Sequence, residues 1–184
     1  PQDLLPHLLL QLNALARVES ELPDYSKAML TAELELFPEW YLQRLLNIQL
    51  DDSFWSVWRP LCAFLIESAV RQPQVFVHRD FHSRNIMMRP KARLGLLDYQ
   101  DAVVGPLTYD LVSLLKDCYW RFDRELVVSQ VAAYFDVWRA HPNLRGMDRL
   151  GFLSAFDLMG LQRHLKCAGI FARLSLRDGK ARYL

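Results

Sequence analysis

Cysteine is scarce in this sequence, and neither sign of charge is in excess. The 184 residues include three cysteines, Cys62, Cys118 and Cys167. They form no Cys-x-x-Cys pair, so neither a disulfide framework nor a zinc site is supported, and a cytoplasmic location is favoured. Because 22 Lys and Arg residues nearly balance 21 Asp and Glu residues, charge gives no reason to expect nucleic acid or a membrane as a partner.

Long apolar runs and Gly/Ser-rich linkers are also absent from the sequence. The most apolar stretches, such as residues 4 to 15, are interrupted by polar residues well before the roughly 20 residues needed to span a bilayer. We therefore expect neither a membrane segment nor a signal peptide. No internal repeat or low-complexity tract marks a boundary, so the sequence predicts a single domain over residues 1 to 184.

Most of the chain carries the period of amphipathic helices. Apolar residues recur at helical spacing over residues 3 to 19, 25 to 37, 39 to 46, 51 to 71, 107 to 119, 123 to 140 and 147 to 174. Pro38 predicts a break between the second and third of these helices. Residues 75 to 77 predict a buried strand, and residues 86 to 88 and 94 to 97 predict a hairpin. The predicted fold is α+β, mostly α, with one small β-hairpin.

Acidic and amide residues beside the predicted hairpin have the spacing of a phosphoryl-transfer site. The segment from His78 to Asn85 reads H-x-D-x-x-x-x-N, with Asp80 as its acid, and Asp98 ends the second apolar run. A hairpin would return Asp98 to the neighbourhood of Asn85. Phosphoryl transfer needs a carboxylate to deprotonate the acceptor hydroxyl and oxygen ligands for Mg²⁺. We therefore expect Asp80 as the catalytic base, Asn85 and Asp98 as Mg²⁺ ligands, and ATP as the donor.

Three phrases of the sequence resemble a known family. Residues 78 to 85, 97 to 101 and 105 to 111 are similar, in order and interval, to the aminoglycoside phosphotransferase and choline kinase superfamily, whose fold is protein-kinase-like. Within that superfamily, residues 78 to 85, 98 to 106 and 158 to 166 most resemble the bacterial anomeric kinases of N-acetylmuramate and N-acetylglucosamine. Those kinases act in cell-wall sugar recycling, so the resemblance implies a small sugar and a nucleotide as substrates.

The resemblance implies roles for further residues. His82 would contact the transferred phosphate, and Asp110 would brace the catalytic loop through hydrogen bonds to its backbone. We expect His78 to be structural as well, packing within the same loop. An acceptor pocket is expected to include Glu33, Glu35, Glu39, Arg163 and His164.

The resemblance also implies an N-terminal lobe with a Gly-rich phosphate cover and a lysine paired to a helix glutamate. Neither feature occurs in these 184 residues. We therefore expect the chain to be the C-terminal, catalytic lobe, with little activity by itself because much of the ATP pocket is missing.

Two alternatives stay open at this point. The acceptor would instead be an aminoglycoside, choline or homoserine, because the magnesium site does not depend on which hydroxyl is phosphorylated. Alternatively, the chain would be a non-catalytic scaffold. The missing nucleotide cover favours the scaffold, whereas the joint presence of Asp80, Asn85 and Asp98 opposes it.

Overall fold

The computed structural model describes residues 4–18, 21–89 and 93–180, and most of these are helical. The helices are α1 (Leu5–Leu15), α2 (Lys27–Leu36), a π-helical segment (Phe37–Leu45), α3 (Asp52–Val70), α4 (Tyr109–Leu115), α5 (Arg124–Trp138) and α6 (Arg149–Asp178). The strands are β1 (Gln74–Val77), β2 (Ile86–Arg89), β3 (Arg93–Leu96) and β4 (Val103–Pro106). Single 3-10 turns occupy Ser83–Asn85 and Pro142–Leu144. The predicted fold, mostly α with a small hairpin, is confirmed.

The described residues divide into two compact units. The first unit contains α1, the four strands, α4, α5 and α6 up to Gly160. The second unit contains α2, the π-helical segment, α3 as far as Ser68, and α6 from Leu161 onwards. Helices α3 and α6 therefore contribute residues to both units.

The strands of the first unit form two antiparallel pairs. β1 pairs with β4, with Val75 opposite Gly105, and β2 pairs with β3, with Ile86 opposite Leu96. Gly105 leaves room for Tyr25, because a Cβ atom at position 105 would lie 3.1 Å from the Tyr25 side chain. This close approach lets the Tyr25 backbone N–H donate to the carbonyl of β4 residue 104 at 2.7 Å.

Helix α4 lies in the core of the first unit, and all seven of its residues are buried. Phe81, in the loop after β1, and Phe152 and Phe156, in α6, are also fully buried. Burying a large apolar side chain stabilises a fold by about 2 kcal/mol. The loop after β1 is therefore anchored in the core through Phe81.

The second unit contains a row of stacked aromatic rings and a close helix contact. Phe37 stacks on Trp58 at a centroid distance of 5.6 Å, and Trp58 stacks on Phe54 at 5.7 Å. Gly169 of α6 lies so close to α2 that a Cβ atom there would meet the backbone of Leu36 at 2.4 Å. Any larger residue at position 169 would force these two helices apart.

One local prediction is wrong, and one strand was not predicted. The expected break at Pro38 does not occur, because α2 continues directly into the π-helical segment, whose first turn contains the proline. Proline has no N–H to donate within a helix, and the change from α-helical to π-helical hydrogen bonding falls at this position. Strand β4 was not predicted, because glycine and proline are unusual within strands, whereas pairing with β1 holds Gly105 and Pro106 extended.

Helix α6 is the longest helix, with 30 residues. Its length exceeds the roughly 20 residues that span a bilayer, but its sequence includes charged residues such as Arg163, Lys166 and Arg173. Within the described ranges, no helix is both long enough and apolar enough to cross a membrane.

Candidate active site

The loop from His78 to Asn85 connects β1 to the hairpin, and Asp110 holds its start. Asp110 lies in the first turn of α4 and is 2% exposed. Its two carboxylate oxygens accept hydrogen bonds from the backbone N–H of His78 at 2.6 Å and of Arg79 at 3.0 Å. Hydrogen bonds from backbone N–H groups to a carboxylate are strong, so this carboxylate ties the loop to the buried helix.

The backbone turns sharply at Arg79, immediately before the predicted base. Arg79 has a φ of +73°, a left-handed conformation that costs about 1 kcal/mol for a residue with a side chain. The hydrogen bond to Asp110 and a contact of the Arg79 guanidinium with the Tyr25 ring, at 5.4 Å, accompany this conformation. The following residue, Asp80, keeps 44% of its side chain exposed.

The amide of Asn85 is oriented by the loop itself. Its Nδ2 donates to the backbone carbonyl of Asp80 at 3.1 Å, and its backbone N–H donates to the carbonyl of His82 at 3.0 Å. Because Nδ2 is engaged on the loop side, Oδ1 remains the acceptor end of the amide. The Asn85 side chain is therefore fixed with its oxygen as the group available to a ligand.

The hairpin brings the chain back to Asn85 as the spacing predicted. The backbone N–H of Leu97 donates to the carbonyl of Asn85 at 3.0 Å, so the next residue, Asp98, lies beside the end of the loop. Asp98 is exposed, has a φ of +66°, and accepts a hydrogen bond from Gln100. The predicted hairpin is confirmed.

His78 is buried at the start of the loop that carries the predicted base. It is 1% exposed, and burial lowers the pKa of its imidazole, while the negative charges of Asp80 and Asp98 oppose that shift. Asn85 links the two acids, because its amide donates to the carbonyl of Asp80 and its own carbonyl accepts from Leu97, the residue before Asp98. The structure thus brings Asp80, Asn85 and Asp98 together around one end of the hairpin.

His82 faces the same group of residues. Its Nε2 lies 3.8 Å from Oδ1 of Asp80, beyond hydrogen-bond distance but close enough for attraction when the ring is protonated. Its side chain is 14% exposed. A half-exposed acid and a nearly buried imidazole therefore lie side by side on the loop.

The donor set fits a hard cation. An amide oxygen and a carboxylate, from Asn85 and Asp98, are the oxygen ligands that Mg²⁺ accepts, and Mg²⁺ commonly keeps several waters. Over residues 4–18, 21–89 and 93–180, the side chains of His, Cys, Asp and Glu form no group of three or more that would hold a metal ion.

The residues predicted for the acceptor pocket lie in different settings in the second unit. Glu33 is buried and forms an ion pair with Lys166 at 2.7 Å, whereas Glu39 pairs with Arg44 at 2.7 Å nearer the surface. Arg163 is 4% exposed. Glu35 and His164 are both exposed. The set therefore includes both buried and exposed residues.

Glu35 instead lines a cavity of about 350 Å³ between α2 and α3. Trp55, Arg59 and Cys62 also line this cavity. Burial, and secondarily the charge of Glu35, raises the pKa of the Cys62 thiol to about 11. This cysteine is therefore a protonated, weakly nucleophilic thiol at neutral pH.

Sequence reasoning missed a second set of contacts on the catalytic loop. Asp117, just after α4, accepts a hydrogen bond from the Ser83 backbone N–H at 2.9 Å, and Tyr119 contacts the His82 ring at a centroid distance of 5.7 Å. No local pattern marks these residues, because Ser83 and Asp117 are 34 positions apart. The Gln162 and Lys166 contacts to Glu33 were missed for the same reason.

The sequence is similar to that of known proteins over most of its length. The profile of a family described as "Phosphotransferase enzyme family" matches residues 1–153. A protein of Pseudomonas aeruginosa named N-acetylmuramate/N-acetylglucosamine kinase is 44% identical over 169 residues, which are 91% of this chain and 49% of the relative.

Relatives of the same name occur in other bacteria. The protein of Neisseria meningitidis is 42% identical over 167 residues, 90% of this chain and 49% of the relative. The protein of Caulobacter vibrioides is 34% identical over 164 residues, 86% of this chain and 43% of the relative. The chain thus spans about half the length of the curated relatives it matches.

Proposed function

Because the chain belongs to the phosphotransferase enzyme family, we propose that it forms the catalytic lobe of a kinase that transfers the γ-phosphoryl group of ATP to a sugar hydroxyl. The observation that carries the proposal is the grouping of Asp80, Asn85 and Asp98 at one end of the hairpin. The three residues supply a base and two oxygen ligands, which phosphoryl transfer requires.

Asp80 is assigned as the base that orients and deprotonates the acceptor hydroxyl. It follows a left-handed residue whose N–H is fixed by Asp110, so its backbone position is set by the buried helix α4. Its carbonyl accepts hydrogen bonds from the His82 N–H at 2.9 Å and from Asn85. These bonds fix the backbone of Asp80, and its half-exposed carboxylate stays open to a substrate.

Asn85 and Asp98 are the residues that would hold Mg²⁺. When bound, Mg²⁺ supplies charge neutralisation at the phosphates of ATP. The Asn85 amide is oriented through its Nδ2, and Asp98 is exposed at the end of β3. His82, beside Asp80, is assigned to contact the transferred phosphate.

The acceptor is proposed to be the anomeric hydroxyl of N-acetylmuramate or N-acetylglucosamine. The names of the relatives support this choice. Their greater length supports a nucleotide-binding lobe outside these 184 residues, with both units described above belonging to one C-terminal lobe. The free cysteines support a cytoplasmic setting, where cell-wall sugars would be recycled without nucleic acid or membrane partners.

A kinase assay of the full-length protein that contains this chain tests the proposal. The purified protein would be incubated with ATP and Mg²⁺ and one of N-acetylmuramate, N-acetylglucosamine, kanamycin, choline or homoserine. We expect ADP release with the two amino sugars and a ³¹P NMR signal of an anomeric phosphate.

The matched pair Asp98→Ala and Asp101→Asn makes the assay specific for the assigned ligands. Asp98→Ala should abolish turnover, and Asp101→Asn, at an exposed acid three positions later, should not. Phosphorylation of kanamycin, choline or homoserine alone would replace the sugar acceptor. Absence of both turnover and Mg²⁺-dependent ATP binding would favour a non-catalytic scaffold.

A further inference from the structure

The segment that follows α4 returns to the middle of the catalytic loop through Asp117. One carboxylate oxygen of Asp117 accepts from the Ser83 backbone N–H at 2.9 Å, and the other accepts from the Tyr119 backbone N–H at 2.9 Å. Both oxygens therefore bind backbone, one in the catalytic loop and one in the turn that carries Asp117. This geometry couples the position of Tyr119 to the position of Ser83.

Tyr119 contacts the residues on either side of Ser83. The guanidinium of Arg84 lies 3.6 Å from the centre of the Tyr119 ring, a cation–π arrangement. The His82 ring meets Tyr119 at a centroid distance of 5.7 Å and an interplanar angle of 72°, an edge-to-face contact. Residues 82 to 84 are thus held by backbone and side-chain contacts from one segment.

That segment is anchored to longer helices by Lys116. Lys116 forms an ion pair with Asp157 of α6 at 2.8 Å, and Arg124 of α5 binds both oxygens of the same carboxylate at 3.1 and 2.8 Å. A Cβ atom at Gly160 would lie 2.7 Å from the Lys116 Nζ. The glycine therefore leaves the space that the lysine occupies.

The catalytic loop consequently has supports on both sides of Asp80. Asp110 fixes the two residues that precede it, and Asp117 fixes Ser83, three residues later. Between them, Nε2 of His82 lies 3.8 Å from the Asp80 carboxylate. Misplacement of a reacting group by about 1 Å can lower the rate of an enzyme about 100-fold.

We propose that Asp117 and Tyr119 are positioning residues, which hold residues 82 to 84 so that the His82 imidazole faces Asp80. The inference rests on the proposed function and adds two residues to its site. Neither residue touches the reacting atoms. Tyr119 acts through the faces of its ring, and Asp117 acts through the backbone of Ser83.

Variants of the full-length protein separate this role from a general loss of stability. Tyr119→Leu removes the ring and Asp117→Ala removes both acceptor oxygens, whereas Tyr119→Phe keeps the ring. Arg121→Gln, at an exposed residue of the same segment, is the matched control. We expect Tyr119→Leu and Asp117→Ala to lower kcat about 10- to 100-fold with KM values changed less than about twofold. Tyr119→Phe and Arg121→Gln should keep wild-type kcat.

A second readout needs no enzyme activity. The ring protons of His82, assigned by comparison with His82→Gln, should carry a ring-current NMR shift from the Tyr119 ring. That shift should disappear in Tyr119→Leu and persist in Tyr119→Phe. Exchange of the Ser83 amide hydrogen should accelerate at least about tenfold in Asp117→Ala, because its acceptor is gone.

The outcomes distinguish failure of this inference from failure of the proposed function. If the wild type phosphorylates no sugar, the proposed function fails, and the NMR shifts still decide whether Tyr119 and Asp117 position His82. Unchanged His82 chemical shifts in Tyr119→Leu, or a kcat of Tyr119→Leu equal to that of the wild type, would overturn the positioning role. If Asp117→Ala does not fold, Tyr119→Leu and Tyr119→Phe carry the test, and equal loss of kcat in both would also overturn it.

Discussion

The loop from His78 to Asn85 in the first unit differs from the Glu33 cluster in the second unit, which consists of Glu33, Gln162 and Lys166. The two regions differ in how exposed their carboxylates are and in how these are paired. Asp80 keeps 44% of its side chain exposed, with the His82 imidazole 3.8 Å away. Glu33 keeps 10% of its side chain exposed and is neutralised by Lys166 at 2.7 Å, with Gln162 Nε2 at 3.3 Å. A buried acid needs a partner because isolated charge is costly away from water. Asp80 is therefore open to solvent, whereas Glu33 is held by its neighbours.

The backbones of the two regions differ in the same sense. Left-handed conformations occur at Arg79, which precedes the predicted base, and at Asp98, a predicted metal ligand. The Glu33 cluster joins two regular helices, α2 and α6. Strained backbone conformations concentrate at functional sites, where surrounding contacts hold them in place. Strain and exposure thus coincide in the first region, and regular structure and burial coincide in the second.

The largest expected effect is on catalysis, at the exposed carboxylate of the pair compared above. Asp80→Asn in the full-length protein should lower kcat about 1,000-fold, the contribution typical of a general base, with little change in KM. Steady-state kinetics with the sugar that proves to be the substrate measures this. The free energy of unfolding in urea should stay within about 0.5 kcal/mol, because the side chain is half-exposed. A kcat within threefold of wild type would remove Asp80 from its assigned role.

The second prediction concerns the buried pair. Lys166→Met should lower the free energy of unfolding by about 3 kcal/mol, because it leaves the Glu33 carboxylate buried without its counter-charge. Urea titration followed by circular dichroism measures the loss. The double variant Glu33→Leu with Lys166→Met should recover most of it, since no charge then remains buried.

The same double variant tests the prediction that Glu33 binds the acceptor. If the stability of the double variant returns but its KM for the sugar is at least tenfold above that of the wild type, the Glu33 carboxylate contacts the substrate in addition to its ion pair with Lys166. If the stability returns and the KM equals that of the wild type, Glu33 is structural.

The third prediction concerns the support of the loop. Asp110→Asn should lower the free energy of unfolding by about 2 kcal/mol, because an amide nitrogen would face one of the two backbone N–H groups that Asp110 now accepts. Chemical unfolding measures the loss, and amide exchange should become faster at His78 and Arg79. Unchanged exchange at both residues would contradict the hydrogen bonds described here.

The smallest expected effect is a pH dependence at Asp157. Burial alone would raise the pKa of this carboxyl group, but hydrogen bonds from Arg124 and Lys116 outweigh burial and hold the pKa below its ordinary value of 3.8. The carboxylate therefore stabilises the fold above pH 3.8, and this contribution disappears as the pH falls through the lower, folded-state pKa.

The size of the Asp157 effect is limited by solvent. Its side chain is 37% exposed, so screening reduces the contribution to about 0.5 kcal/mol. Urea unfolding of wild type and Asp157→Asn between pH 3 and pH 6 measures it, and the difference between them should shrink towards the acid end. A difference that grows as the pH falls would contradict the sign.

Local patterns predicted the hairpin and the residues around it. The spacing of Asp80, Asn85 and Asp98, and a polar interval between two apolar runs, were sufficient, because a hairpin joins residues that are near in sequence. Asp110 came from family resemblance, since its partners lie 31 and 32 positions away. The acceptor pocket stays a prediction for Glu33, Glu39, Arg163 and His164.

What the sequence by itself determined is the helical periodicity, the position of the hairpin and the order of the polar residues along the chain, because these depend on neighbours a few positions apart. Only the tertiary structure decided that β4 pairs with β1 and that Asp117 holds Ser83. These contacts join segments far apart in sequence, and their free energy is gained only when the packed core brings the segments together.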